Sequence, residues 1–271
     1  MQQDFIFDTH SHYDDEAFDP DRDTLLQGLA ERGIGNVISV GADLASSQAA
    51  LSLAETYDFI YAALGIHPSE TDGLTERDMD WIQENAGHNK VVAIGEIGLD
   101  HHWPEPAAEV QRRWFRRQIE LAKEVKLPVI IHSREAAEET MKILTETKAY
   151  DCGGVIHCFS YSPEMAKQYV EMGFYIGVGG VVTFKNAKKL VQTVEEIPLE
   201  ALVLETDCPY LAPEPYRGKR NDSSRLVWVA EKIAERKGIT VQEVIRTTTK
   251  NAKTLYHLNG GNENAGNDEG F

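Results

Sequence analysis

Near the start of the chain, the segment "FDTHSHYD" sets Asp8, His10 and His12 directly after a short apolar run, with one residue between the two histidines. In an extended strand, residues i and i+2 point to the same face. Two imidazoles on one face can share a metal ion, at nitrogen–metal distances of about 2.0–2.1 Å for zinc. Similar residue types recur where later apolar runs end. Glu96 lies in "AIGEIGLD", His132 in "VIIHSRE", His157 in "GVIHCFS", and Glu205 and Asp207 in "LVLETDCPYL". His67 follows just beyond another run, in "ALGIHPSE".

Taken singly, each has an ordinary structural explanation. A lone strand-end histidine usually satisfies hydrogen bonds in a core, and a buried Glu or Asp can be half of a salt bridge. Taken together they would form an unpaired anionic pocket, which is costly to bury unless cations neutralise it. Six candidate ligands, His10, His12, Glu96, His132, His157 and Asp207, are too many for one tetrahedral ion and fit two. Glu96 is expected to bridge the pair with one oxygen on each ion. Mixed imidazole and carboxylate sets accept Mg²⁺, Mn²⁺, Fe²⁺ or Zn²⁺, so the spacing leaves the identity open. Glu205 precedes Asp207 by two residues on the same face and lies deeper; its expected role is to orient a ligand.

The elements that must position these groups are legible as alternation. Apolar or β-branched runs cover residues 5–9, 36–41, 60–65, 91–96, 128–132, 154–157, 175–178 and 202–206. Helically spaced segments with charged outer faces lie between them, most clearly at 109–126, 165–172, 187–194 and 226–237. Eight buried-type strands alternating with helices predict an α/β fold, a single-domain (β/α)₈ TIM-like barrel, and 271 residues suit that size. An open doubly wound sheet is the alternative, but it needs fewer strands or a second domain, and no linker divides the chain. The barrel is expected over residues 1–258. Residues 259–271, rich in Gly and Asn with no apolar period, read as a disordered tail.

The three cysteines are few and widely spaced, which suggests free thiols in a reducing compartment. With no signal-like or membrane-spanning apolar stretch, the expected location is cytoplasmic, with no membrane association. The formal net charge of -17 argues against a broad electrostatic nucleic-acid surface. It does not describe a pocket, where bound cations change the count. The motif "EPYRGKRND" supplies a local basic loop, with Arg217, Lys219 and Arg220 as candidate phosphate donors just after the eighth strand. The plain alternative is a solvated charge run.

The chain resembles the TatD-type metal-dependent deoxyribonucleases, within the amidohydrolase-like barrels. The resemblance rests on "DTHSHYD", "GIHP", "IGEIGLD", "PVIIHSR", "GVIHCFS", "LETDCPYLAP" and "YRGKRN", in order, and extends over about residues 4–258. It implies a TIM-like barrel with two divalent ions, one held by His10, His12, Glu96 and Asp207, the other by Glu96, His132 and His157. Three departures flank these positions: His101, His102 and Trp103 replace a common tyrosine pair, Tyr161 a glycine, and Asp222-Ser223 a Glu-Pro.

Divalent ions lower the pKa of water from about 15.7 to about 7 and can clamp phosphoryl oxygens. The expected activity is therefore hydrolysis of phosphodiester bonds, which the resemblance implies are those of DNA, with Asp207 and Glu96 as the catalytic carboxylates. Asp207 would bind metal and orient the nucleophile. His67 would approach the phosphate, Ser133-Arg134 would add a contact, and Trp103 and Phe159 are candidate base-stacking surfaces. The expected partner is a short or single-stranded DNA end; protein partners are not indicated. A 3′ exonuclease polarity is implied by the resemblance alone. The competing function is a metal-dependent esterase, amidase or deacylase acting on a small molecule or an aminoacyl group. A metal-binding scaffold without turnover has little physical need for so open a site.

Overall fold

Each apolar run forms a parallel strand, and the charged segment after it forms the helix that returns the chain. The computed structural model describes residues 4–258; the segment 259–271, expected to be disordered, lies outside the described residues. The first half alternates β1 (Ile6–Ser11), α1 (Arg22–Gln27), β2 (Ile34–Val40), α2 (Leu44–Thr56), β3 (Ile60–Leu64), α3 (Glu76–Asn85), β4 (Val91–Asp100) and α4 (Ala108–Val125). The second half continues with β5 (Val129–Arg134), α5 (Ala137–Glu146), β6 (Gly154–Ile156), α6 (Pro163–Glu171), β7 (Phe174–Val178), α7 (Lys188–Glu196), β8 (Leu202–Leu204), α8 (Leu226–Lys237) and α9 (Val241–Leu255).

The strands pair in sequence order from β1 to β8, all parallel. The chain just past β8 returns to β1. Thr206 and Asp207 donate backbone N–H groups to the His10 carbonyl at 3.3 and 2.9 Å, and His12 donates to Cys208 at 2.8 Å. This closure makes a (β/α)₈ barrel and removes the open-sheet alternative. No helix among the described residues is long and apolar enough to cross a membrane.

Two apolar cores follow. The larger lies between strands and helices and includes Leu26, Phe115, Ile119, Tyr169 and Ile233. The smaller fills the barrel and draws on Phe7, Ile38, Val40, Ala63, Val92, Ile130, Val155 and Val203. Strand parity links that filling to the site, because Val92 precedes Glu96 by four residues, and Ile130, Val155 and Val203 precede His132, His157 and Glu205 by two. The same inward faces are apolar below and polar at the mouth.

The main departure from the predicted strands is β4, which runs four residues past residue 96 to Asp100. Gly98 permits it. At φ +151, a Cβ there would stand 1.9 Å from the His132 carbonyl oxygen, so only glycine lets β4 and β5 pair this closely. Helix α8 spans the predicted 226–237 and ends at Gly238, whose φ of 67 is left-handed.

Helix α9 plugs the barrel from below. Ala252, Leu255 and Tyr256 join the interior core, and the Asn251 side chain donates to the carbonyls of Leu199 (2.9 Å) and Leu202 (2.8 Å). Replacing Asn251 with Ala strands two buried acceptors, and a loss of about 1–3 kcal/mol is expected. A urea melt of Asn251→Ala checks this, and an unchanged midpoint would show that the helix is held by apolar contacts alone.

Candidate metal centre

Glu96 sits at the centre of the barrel mouth, and the histidines around it divide between its two carboxylate oxygens. Oε2 faces His10 Nε2 at 3.4 Å and His12 Nε2 at 4.0 Å. Oε1 faces His132 Nδ1 at 2.8 Å, His157 Nε2 at 3.7 Å and His67 Nε2 at 4.0 Å. Asp207 Oδ1 closes the far side, 3.4 Å from His12 Nε2 and 3.8 Å from both His10 Nε2 and His157 Nε2. The structure thus brings together all six residues read from the strand ends, together with His67.

The outer partners of the rings decide what the inner nitrogens offer. His12 Nδ1 lies 2.9 Å from the Val40 carbonyl, an acceptor only, so Nδ1 carries the proton. His157 Nδ1 lies 3.1 Å from Glu205 Oε2, which orients it in the same way. Their Nε2 atoms are then lone pairs aimed at carboxylates, and acceptors facing acceptors require a cation or protons between them. Clusters such as His10–His12–Glu96 and Glu96–His132–His157 bring ligand atoms within 4.8 Å of one another, so the donor set fits divalent metal.

Glu205 lies behind His157, on the side away from Glu96. Its Oε1 accepts from the Cys158 backbone at 2.6 Å while Oε2 faces His157. Gly177 makes room for it, since a Cβ there would meet Glu205 Oε2 at 2.3 Å. Asp207 adopts a left-handed φ of 57, a conformation aspartate tolerates better than most residues.

Without a cation, protons take its place. Burial alone would lower His12 and His157, but the carboxylates beside them prevail. Asp207 and Glu96 push His12 up to about 9, and Glu205 and Glu96 push His157 up to about 10. Burial alone would raise Glu96, yet His157 and His10 hold its carboxyl well below the usual range. Burial drives His67 the other way, down to about 4, so its ring is neutral at pH 7.

Two roles were missed in the sequence. Asp100 Oδ2 lies 3.0 Å from His132 Nε2, giving His132 the kind of outer carboxylate that Glu205 gives His157. The parity Glu96–Gly98–Asp100 was the available signal, hidden because β4 was expected to stop at 96. Asp8 lies beneath the mouth and accepts from Thr206 N (3.0 Å), Thr206 Oγ1 (2.7 Å) and Ser223 Oγ (2.6 Å). It pins the stretch that carries Asp207; burial pushes its carboxyl up to about 7 despite these bonds.

The expected substrate contacts are not all gathered. Arg220 is committed: its guanidinium grips both Asp21 oxygens at 2.7 Å and lies over the Phe18 ring. Arg217 lies over Phe184 and Lys219 is exposed; neither side chain has an acidic partner among the described residues. Ser133 Oγ is engaged by Thr140 and by Tyr161, the residue standing where a glycine is usual. Phe159 is only 2% exposed and packs on Tyr161 and Tyr169, so its ring is no stacking surface.

Lone pairs aimed at carboxylates call for a cation, and an open barrel mouth leaves that cation within reach of a substrate; this is the design of a metal-dependent hydrolase. The chain belongs to the TatD family, matching the pattern described as TatD related DNase over residues 7–257. It is 47% identical over 254 residues to the uncharacterized metal-dependent hydrolase YabD of Bacillus subtilis, covering 94% of this chain and 100% of YabD. It is 36% identical over 258 residues to the uncharacterized metal-dependent hydrolase YcfH of Escherichia coli, covering 94% and 96%. The crystal structure of the TatD homologue YjjV from Escherichia coli superposes with a TM-score of 0.88 at 33% identity, covering 95% of this chain and 99% of YjjV.

Metal binding must displace the protons on His12 and His157, so proton release is expected at pH 7, with affinity rising as pH approaches 9. Calorimetric titration of the apoprotein in buffers of different ionisation enthalpy measures it; a buffer-independent heat would refute it. Asp100→Asn is expected to lower metal affinity or activity about 10- to 100-fold, which metal titration and turnover of the purified variant check.

Proposed function

We propose that the chain is a deoxyribonuclease that hydrolyses phosphodiester bonds at short or single-stranded DNA ends, with 3′ exonuclease polarity implied by its family resemblance. The observation that carries the reading is Glu96, with one oxygen turned to each of two donor sets. In this reading His10, His12, Glu96 and Asp207 hold one divalent ion, and Glu96, His132 and His157 hold the other. Mg²⁺, Mn²⁺ and Zn²⁺ all suit the set. When bound, such a pair polarises a phosphoryl oxygen and makes water acidic enough to ionise near neutral pH.

The remaining work belongs to the side chains. Asp207, whose burial is outweighed by His12 and His157 so that its carboxyl stays ionised, orients the attacking water and accepts its proton. His67 Nδ1 accepts the Ser69 backbone N–H at 3.1 Å, which leaves the ring proton on Nε2, the nitrogen turned toward the centre. That N–H is a neutral donor for a phosphate oxygen. Arg217 and Lys219 add charge from the loop after β8, while Arg220 fixes the loop by its pair with Asp21. The net charge of -17 repels a long duplex and leaves a chain end as the acceptable partner.

The commitment of Arg220 favours one rival, a metal-dependent esterase, amidase or deacylase acting on a small molecule or an aminoacyl group. A single-turnover assay with 3′- and 5′-labelled single-stranded oligonucleotides separates the two, using protein stripped of metal and reconstituted with each ion. Metal-dependent loss of the 3′ label, with a ladder from the 5′ label, is expected, and Glu96→Ala should fall to background. Arg217→Ala should slow oligonucleotide cleavage while leaving hydrolysis of a small neutral ester in place. Ester hydrolysis with no oligonucleotide cleavage under any ion would transfer the assignment to the rival.

A further inference from the structure

Of the two aromatic residues expected as base-stacking surfaces, Trp103 keeps an open ring, and with His101 and His102 it has a definite setting in the loop after β4. Trp103 is 58% exposed, the most open of the large exposed hydrophobic residues among the described residues. An exposed indole offers a large flat face on which a base can stack. Its ring is not loose: the His102 imidazole meets it edge-on, with centroids 4.8 Å apart and planes at 82°. His102 is itself held twice. Its Nδ1 lies 2.7 Å from Glu135 Oε1, and its backbone N–H donates to Asp100 Oδ1 at 2.9 Å. The other oxygen of Asp100 faces His132. The tryptophan is therefore tied through two residues to a candidate metal ligand.

The neighbouring loop contributes charge. Arg134 closes β5 and pairs in register with Asp100 of β4, and its carbonyl accepts the His101 N–H at 2.9 Å. Its guanidinium is exposed and has no hydrogen-bond or ion-pair partner among the described residues. Arg220, by contrast, is spent on Asp21. Arg134 has the strand parity of His132, two residues earlier on β5, which places it at the mouth end of the same face. An aromatic face and a free guanidinium on adjacent loops match the two chemical parts of a nucleotide, a flat base and an anionic phosphate.

We propose that Trp103 and Arg134 form a nucleotide subsite beside the metal centre, in which the indole stacks on the base of the nucleotide flanking the scissile bond and Arg134 binds that nucleotide's phosphate. The proposal rests on the nuclease reading above and deepens it. It places specificity on the loops after β4 and β5, opposite the basic loop after β8. His102 and Glu135 are positioning residues that set the angle of the indole.

The test is a kinetic cycle on the metal-loaded full chain, with single-stranded DNA oligonucleotides carrying one abasic nucleotide at the 3′-terminal or penultimate position. For the wild type, loss of the base at one of these positions is expected to raise KM about tenfold, the size of one base–aromatic stack. In Trp103→Ala, KM for the intact oligonucleotide should rise by a similar factor, and the abasic lesion should add nothing. Trp103→Phe should restore part of the difference. Arg134→Ala should lower the slope of log KM against log salt by about 0.7, the share of one phosphate contact on a single strand, and Arg134→Lys should restore it. An abasic penalty as large in Trp103→Ala as in wild type, or an unchanged salt slope in Arg134→Ala, overturns the subsite. If the wild type turns over a neutral ester but no oligonucleotide, the nuclease reading itself has failed and the subsite falls with it.

Discussion

A carboxylate buried as deeply as Glu96 persists as an anion only while positive charge surrounds it, and in this barrel that charge comes from imidazoles at the ends of β1, β5 and β6, with the neutral His67 ring turned toward it from the loop after β3. The arrangement has two solutions, protons on the rings or cations between them. Both require the five rings to stand where they do. The outer contacts with Val40, Glu205, Asp100 and Ser69 therefore matter as much as the inner ones. For His12, His157, His132 and His67 they select which nitrogen is bare and so help fix what the mouth can bind.

The barrel answers this demand by dividing each inward face. Apolar residues such as Val92, Ile130, Val155 and Val203 fill the lower interior, where they join α9 and exclude water. One or two steps farther along the same faces stand Glu96, His132, His157 and Glu205. A dry, close-packed floor under a charged mouth lowers the local dielectric and strengthens each electrostatic contact above it. It also leaves the ligand-bearing strands little freedom to shift, because displacement of one opens a void in the core below.

Much of this was legible in the residues themselves. The strands carrying His10, Glu96, His132, His157 and Glu205 are short apolar runs, and the types that end them share one chemistry. Parity then placed both histidines of "HSH" at one mouth. What stayed hidden depends on contacts distant in sequence. Asp100 escaped because Gly98, which ordinarily weakens a strand, here lets β4 continue. The commitment of Arg220 to Asp21 spans 199 residues and leaves no local trace. Ser223 looked like a neutral departure, yet it donates to Asp8 at the base of the site. Phe159 had the right type and position for stacking, but local spacing does not reveal that Tyr161, and Tyr169 of α6, pack against its ring.

The closure of the barrel by Asp8, Thr206 and Ser223 has a consequence for the order of assembly. His10 and His12 leave the ribosome well ahead of Asp207 and the hydroxyls that anchor Asp8, which emerge more than 190 residues later. Throughout that interval a growing chain displays a pair of bare imidazoles without the partners that would retain a metal. The complete ligand set is available only after the last strand docks beside the first. The candidate metal centre is thus a property of the finished barrel and of no shorter piece of it.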